Sequence, residues 1–171
     1  TVAILVPRNA RGADVINRLK EHNIEFVEYL SSSAPTRAAA GALGNLAAFL
    51  ADPSSSAKLS KVYQVWRRAW REEPDQKNFY TRVSDTIRKC QGVETFLAPI
   101  PAQDWLVTLA ETEPEMVISE LAEFRAIVQR WMGTALLPID QMILTLSQDL
   151  FTEPADLALA HKLALVLRQV A

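Results

Sequence analysis

Residues 2–30 read VAILVPRNARGADVINRLKEHNIEFVEYL, and this stretch decides the expected fold. Val2 to Val6 is a continuous apolar run with β-branched residues, which is typical of a strand covered on both faces. From Ala13 onward apolar residues recur at helical spacing, and a second strand pattern follows from Glu25 to Leu30. The stretch therefore predicts one β-α-β unit.

The remainder of the chain, after a break at residues 31–35, has helical patterns separated by prolines and short polar turns. An alanine-rich helix is predicted from Thr36 to Ala51, and it stops before Pro53. Further helices are predicted at about Ala57 to Glu73, Gln76 to Cys90, Ala102 to Ala110, Pro114 to Met132, Ile139 to Leu150 and Pro154 to Val170. The expected class is mainly α with a small α/β part: residues 1–53 hold the β-α-β unit and its following helix, and residues 54–171 form a multi-helix domain.

Two strands joined by one helix do not make a stable sheet, because both edges stay open and one helix covers only one face. The segment from Thr95 to Ala98 is the one later strand candidate. The missing strands must come from a further portion of the polypeptide or from a partner chain, unless helices pack over the exposed faces. We therefore expect the chain to be part of a longer protein, and its open strand edges favour self-association.

The bulk composition is that of an ordinary globular protein, and its small net charge creates no strong electrostatic field. The formal net charge is −2 and the sequence pI is about 5.7, so any contact with nucleic acid has to be local. One cysteine, Cys90, and two histidines, His22 and His161, are too few for an internal disulfide or a histidine/cysteine metal cage. No apolar segment has the length and character of a membrane helix, and we expect a cytoplasmic protein.

The five glycines form neither of the common phosphate-binding patterns, Gly-x-x-x-x-Gly-Lys-Ser/Thr and Gly-x-Gly-x-x-Gly. Neither histidine has a serine or cysteine nearby in the sequence that would make it a nucleophile's base. The sequence therefore predicts no catalytic residue and no metal ligand.

The predicted helix from Ala57 to Glu73 carries the strongest binding pattern. Its apolar and basic residues fall on opposite sides at helical spacing. Backbone contacts to DNA are accordingly predicted for Lys58, Lys61, Arg67, Arg68 and Arg71. Carboxylates close by, among them Glu72, Glu73 and Asp75, leave open the alternative that this side is simply a solvated face.

Residues 2–29 resemble motif IV and its surroundings in UvrD/Rep-type superfamily 1 DNA helicases, which have a strand, a short Arg/Asn turn, a helix and a second strand there. Residues 43–53, LGNLAAFLADP, look like the family's next helix, which leads into the helical insertion called 2B. In the family an aromatic residue and an arginine in the turn contact ATP. Val6 and Pro7 stand at those two positions, so the resemblance assigns nucleotide contact to the neighbouring Arg8 and Arg11 instead.

The resemblance implies a fragment of an ATP-dependent helicase acting in DNA repair. The fragment would hold the start of the second RecA-like motor domain and most of the insertion. It binds no cofactor alone, whereas the parent uses ATP and magnesium, and the partners are single-stranded and duplex DNA and the remaining helicase domains. Two alternatives stay open: a non-catalytic helical module that binds another protein, and a free-standing enzyme whose site is assembled from distant residues.

Overall fold

A computed structural model of the chain describes Ile4, residues 9–26 and residues 34–170. The chain divides into two compact units, Thr1–Ala38 and Ala39–Ala171, and the division falls within a helix. The boundary expected between residues 53 and 54 lies inside the second unit, between two helices.

The first unit contains helix α1, Asn9–Glu21. The helix ends where Asn23 adopts a left-handed conformation with φ of 51°, a region that asparagine tolerates better than most residues. The amide of Ile24 donates to the carbonyl of Leu19 at 2.9 Å, and that of Asn23 donates to Lys20 at 3.0 Å. These two bonds form a Schellman motif, which satisfies carbonyls that a helix end leaves free.

The predicted β-α-β unit is wrong: its helix is present, but no strand occurs among the residues that the structure describes. Of the two predicted strands, Ile4 and residues 25–26 are described, and they belong to no regular element. The other residues of both strands lie outside the described part. A strand is stable only when neighbouring strands pair with its backbone groups, and the described residues supply no such neighbour. The described chain is all-α, and the α/β part of the expected class is not seen.

The helical elements that follow α1 are separated by short connections. They are α2 (Ala34–Ala51), α3 (Ser56–Trp66), a 3-10 helix (Arg68–Arg71), α4 (Pro74–Arg88), α5 (Val93–Leu97), α6 (Trp105–Leu109), α7 (Glu115–Gly133), a second 3-10 helix (Thr134–Leu136), α8 (Ile139–Leu150) and α9 (Pro154–Val170). Among these described helices, none is long and apolar enough to cross a membrane.

Two segments differ from the helices and strands expected for them. The weak strand candidate at Thr95–Ala98 is largely helix α5, because Val93, Phe96 and Leu97 recur at helical spacing and are all buried. The single helix expected from Ala57 to Glu73 is broken after Trp66, and a 3-10 helix continues it in a new direction.

Helices α3 and α4 form a hairpin with a polar contact line. Ser55 caps α3 by accepting a hydrogen bond from the amide of Lys58 at 3.3 Å, and Pro74 starts α4 in its first turn. The hydroxyls of Ser60 and Ser84 are buried and lie 3.0 Å apart. Small residues at both positions let the two helix backbones come close together.

The core of the second unit lies around α7. Val117, Leu121, Phe124, Val128 and Trp131 recur every three or four residues along its buried side. The Phe124 ring packs on three aromatic rings, with centroid distances of 5.2 Å to Tyr63, 5.5 Å to Trp66 and 6.3 Å to Phe96. Aromatic side chains of α3, α5 and α7 thus form one cluster.

Replacing Phe124 by alanine is expected to lower the free energy of unfolding by about 3–5 kcal/mol, because the ring is fully buried and its neighbours cannot close the cavity. Urea denaturation followed by circular dichroism measures this change. Val107→Ala serves as the control, since Val107 is 67% exposed and its truncation should cost less than about 0.5 kcal/mol. Equal effects from the two substitutions would contradict the packing described here.

Candidate nucleic-acid interface

The five cations predicted to contact DNA do not form one continuous arc. Lys58 and Lys61 lie on α3, whereas Arg68 and Arg71 lie on the 3-10 helix beyond the break. Arg67 sits at the break itself with φ of −95° and ψ of 30°, outside the α-helical region. Because the chain changes direction there, the cations point toward different parts of the molecule.

Arg67 is bound into the core. Its Nε donates to Glu120 Oε1 at 2.8 Å, and its Nη2 donates to Glu120 Oε2 at 3.1 Å and to Glu123 at 2.8 Å. The guanidinium carbon lies 3.6 Å from the ring centre of Trp66 and 4.3 Å from that of Trp70. A paired guanidinium stacked on two indoles has little freedom left to bind a phosphate.

Glu120 is a buried carboxylate on α7, with only 7% of its surface exposed. The Tyr63 hydroxyl donates to it at 3.2 Å. Burial, together with the negative charge of Glu120, raises the pKa of Tyr63, so the phenol stays protonated and remains a donor. Burial alone would disfavour the charge on Arg67, but the hydrogen bonds to Glu120 outweigh it and raise the pKa of the guanidinium.

Arg68 is held by a different helix. Its Nη2 donates to Asp156 of α9 at 2.9 Å, and its guanidinium carbon lies 4.7 Å from the ring centre of Phe151. The two adjacent arginines therefore tie the break after α3 to α7 and to α9 respectively. We refer to Arg67 and Arg68 with their carboxylate partners Glu120, Glu123 and Asp156 as the arginine brace.

The other three predicted cations are more accessible. Lys58 donates to Asp52 at 2.8 Å, with both side chains well exposed. Arg71 approaches only Glu72, at 3.5 Å, and 72% of its side chain is exposed, so this pair contributes little. Lys61 is exposed and has no ion-pair partner among the described residues. Of the predicted set, Lys61 and Arg71 are thus the side chains with least competition for an incoming phosphate.

The nucleotide-binding residues assigned by the resemblance are not brought into a site by the described structure. Arg8 lies outside the described residues, and Arg11 is an exposed side chain in the first turn of α1.

The remaining ionisable groups do not assemble a reactive centre in the part of the chain that the structure describes. No three histidine, cysteine, aspartate or glutamate residues there are arranged to hold a metal ion. Cys90 is buried, and burial raises the pKa of its thiol, which disfavours the reactive thiolate. His22 and His161 are exposed.

Several charged contacts between helices were not foreseen from the sequence. Asp149 of α8 accepts hydrogen bonds from Arg130 and from the indole nitrogen of Trp131, the latter at 2.8 Å. Asp104 caps α6 through the amide of Leu106 and pairs with Arg125 of α7. One of these contacts could have been suspected from the sequence, because Glu120 is a carboxylate at a core position of an otherwise apolar helical stripe.

Comparison with known proteins gives no family for this chain: no family model, no curated protein and no solved structure matches it. What this chain does has to be argued from its sequence and from the geometry of the residues that the structure describes.

Arg67→Ala is expected to lower the free energy of unfolding by roughly 2–3 kcal/mol, because it leaves Glu120 buried without a countercharge. Arg71→Ala is the matched control and should stay within about 0.5 kcal/mol, since Arg71 is exposed and weakly paired. Chemical denaturation of both variants gives the comparison. Adding Glu120→Ala to Arg67→Ala should recover part of the loss, and purely additive effects would show that the pair is not coupled.

The carboxyl of Asp52 is expected to titrate near pH 2. The side-chain hydrogen bond from Lys58, followed by that from Ser54, lowers its pKa to about 2. Since the folded-state pKa is depressed, the stabilising contribution is present above the unfolded-state value of about 4 and is lost as pH falls toward 2. An NMR titration of the side-chain carbon measures the midpoint. Lys58→Gln should move the midpoint upward, and an unchanged midpoint in that variant would remove Lys58 as the cause.

Proposed function

We propose that this chain is a helical accessory region of a UvrD/Rep-like ATP-dependent DNA helicase that acts in DNA repair in the cytoplasm. The observation that carries the proposal is the resemblance of residues 2–29 and 43–53 to motif IV and to the helix after it. In this role the region contacts single-stranded or duplex DNA, or regulates the motor, while the remaining helicase domains supply the chemistry. The β-α-β unit first expected at residues 2–30 forms no part of the proposal.

The geometry of the second unit supports a mechanical role. Its helices are joined by an aromatic core and by ion pairs that connect distant segments, such as Arg67 with Glu120 and Arg68 with Asp156. A body braced in this way moves as a whole when a neighbouring domain moves. It therefore suits transmission of a motor's motion to DNA.

ATP and magnesium belong to other parts of the proposed parent. The residues of this chain do not fit a nucleotide site: the sequence has no phosphate-binding loop, and Arg11 is a single exposed cation on α1. No step of ATP hydrolysis is assigned to any residue here.

Within the DNA-binding role, the five predicted cations divide into two groups. Arg67 and Arg68 hold the fold and contribute to DNA contact only indirectly, through the shape they maintain. Lys61 and Arg71 are exposed and are the members of the set that we assign to phosphate contact. Lys58 contributes when a phosphate displaces Asp52 from its ammonium group.

A second candidate function is a non-catalytic helical module that binds another protein. It is favoured by an apolar corner at the end of α7, where Leu136 is 94% exposed, Leu137 39% and Met132 36%. A shallow cavity of about 400 Å³ lined by Pro138, Ile139 and Arg168 lies beside this corner. Exposed apolar side chains grouped on an ordered corner are typical of protein contacts.

The coding sequence on either side of these residues separates the two candidates. A helicase requires a Gly-x-x-x-x-Gly-Lys-Ser/Thr loop upstream and the remaining motor motifs downstream. Their absence from the gene would overturn the helicase proposal and leave the interaction module.

The 171-residue chain is expected to bind a forked oligonucleotide at low ionic strength, with affinity falling as salt rises, because phosphate contacts release counterions. Fluorescence anisotropy across a salt series measures the affinity and its slope. Lys61→Glu with Arg71→Glu should weaken binding at least about tenfold and lower the slope by about 2. Lys20→Glu with Lys162→Glu makes the same charge change at other exposed positions and should have a smaller effect. No binding by the unaltered chain would contradict a direct role in DNA contact.

A further inference from the structure

Polar side chains that hydrogen-bond to one another line part of the contact between α3 and α4, and we call them the polar floor. Ser60 donates to the backbone carbonyl of Ser84 at 2.9 Å, and the side-chain amide of Gln64 donates to the Ser84 hydroxyl at 2.8 Å. Ser56 donates to the carbonyl of Arg88 at 3.3 Å, which brings the start of α3 beside the end of α4. These bonds fix which sides of the two helices face each other.

Cations flank this floor on both helices. On α4 the residues Lys77, Thr81, Ser84 and Arg88 follow one another at intervals of four, three and four, so they lie along a single side of the helix. On α3, Lys61 is adjacent in sequence to Ser60 and one helical turn from Gln64. We call the strip formed by Lys61, Gln64, Lys77, Thr81 and Arg88 the α3–α4 seam.

Little negative charge competes for the cations of the seam. Lys61 and Lys77 are exposed and lie within ion-pair distance of no carboxylate in the described ranges. Arg88 approaches Asp85 at 3.8 Å, but both side chains are more than half exposed, so the pair is weak. Glu73 and Asp75 precede Lys77 at the start of α4, where the helix dipole stabilises their carboxylates. The seam keeps three cations for an external anion, whereas Arg67 and Arg68 are committed to the arginine brace.

The cations of the seam are spread along the hairpin. Lys77 and Arg88 are eleven residues apart on α4, which corresponds to about 16 Å along the helix. Two cations this far apart do not share one phosphate, so they contact separate phosphates of an extended strand. Lys61 supplies a third positive charge from the facing helix. The side chains of Gln64 and Thr81 between these cations are uncharged and donate within the protein, to the Ser84 hydroxyl and the Lys77 carbonyl respectively.

We propose that the α3–α4 seam binds the sugar-phosphate backbone of a nucleic-acid strand through Lys61, Lys77 and Arg88. This rests on the proposed function, and it extends the phosphate-contacting surface from Lys61, which that function already assigns, onto α4. The interaction is independent of base sequence, since the seam presents cations and small polar groups and reads no base edge.

The test uses Lys77→Glu with Arg88→Glu, two seam residues outside the set predicted from the sequence. The probe is a labelled single-stranded oligonucleotide of mixed sequence, with a labelled duplex of the same sequence in parallel, and anisotropy is measured across a salt series. The double variant is expected to bind at least about tenfold more weakly, with a salt slope reduced by about 2. The matched control is Lys162→Glu with Arg168→Glu, which alters two exposed cations of α9 by the same total charge.

The outcomes separate failure of the seam from failure of the proposed function. If the unaltered chain binds and the seam variant binds equally well, the seam is excluded while the DNA-binding role stands. If both double variants weaken binding equally, the effect is one of net charge and the seam is likewise excluded. If the unaltered chain does not bind either probe, the proposed DNA contact fails and the seam with it. Circular dichroism and urea denaturation establish that both variants are folded, which is expected because all four residues are exposed.

Discussion

The fold of the second unit depends on how it accommodates one buried charge. Glu120 lies on the core side of α7, and a carboxylate removed from water is tolerated only when it is paired and hydrogen-bonded. Arg67 and Tyr63 meet this requirement from α3, and Trp66 and Trp70 cover the guanidinium. The chain leaves the α-helical path at Arg67, the residue that pairs with Glu120. The pairing therefore stabilises the bend after α3 and holds it against α7.

The same solution recurs at other helix contacts of the unit. Arg68 pairs with Asp156 on α9, and Arg125 of α7 pairs with Asp104 at the start of α6. Asp149 on α8 accepts from Arg130 and Trp131 of α7. Each pair joins two elements through an aspartate that is only 18–22% exposed. The arginines at these contacts thus act as connectors between elements.

The sequence allowed the helices to be predicted because their apolar residues recur at helical spacing, as they do in α4, α7 and α8. The break after Trp66 could not be predicted, since the partners that stabilise it, Glu120 and Asp156, lie 53 and 88 residues away. The strand prediction for residues 2–6 followed from a short apolar run, a pattern that does not by itself distinguish a strand from other buried segments. For the binding surface, the helical pattern placed Lys61 on the basic side of its helix, and Lys61 is exposed in the structure. The same pattern could not show that Arg67 and Arg68 are engaged in ion pairs with distant carboxylates.

The polar floor between α3 and α4 has a consequence for how the hairpin responds to force. Ser60, Gln64 and Ser84 exchange hydrogen bonds where most helix pairs interlock bulky apolar side chains. Both serine side chains are buried, so sliding one helix along the other would leave hydroxyl groups without partners where water does not reach them. The ring of Tyr63 on α3 also stacks on that of Tyr80 on α4, with centroids 6.0 Å apart. Polar and aromatic contacts together resist slippage, so a pull on either helix is carried by both.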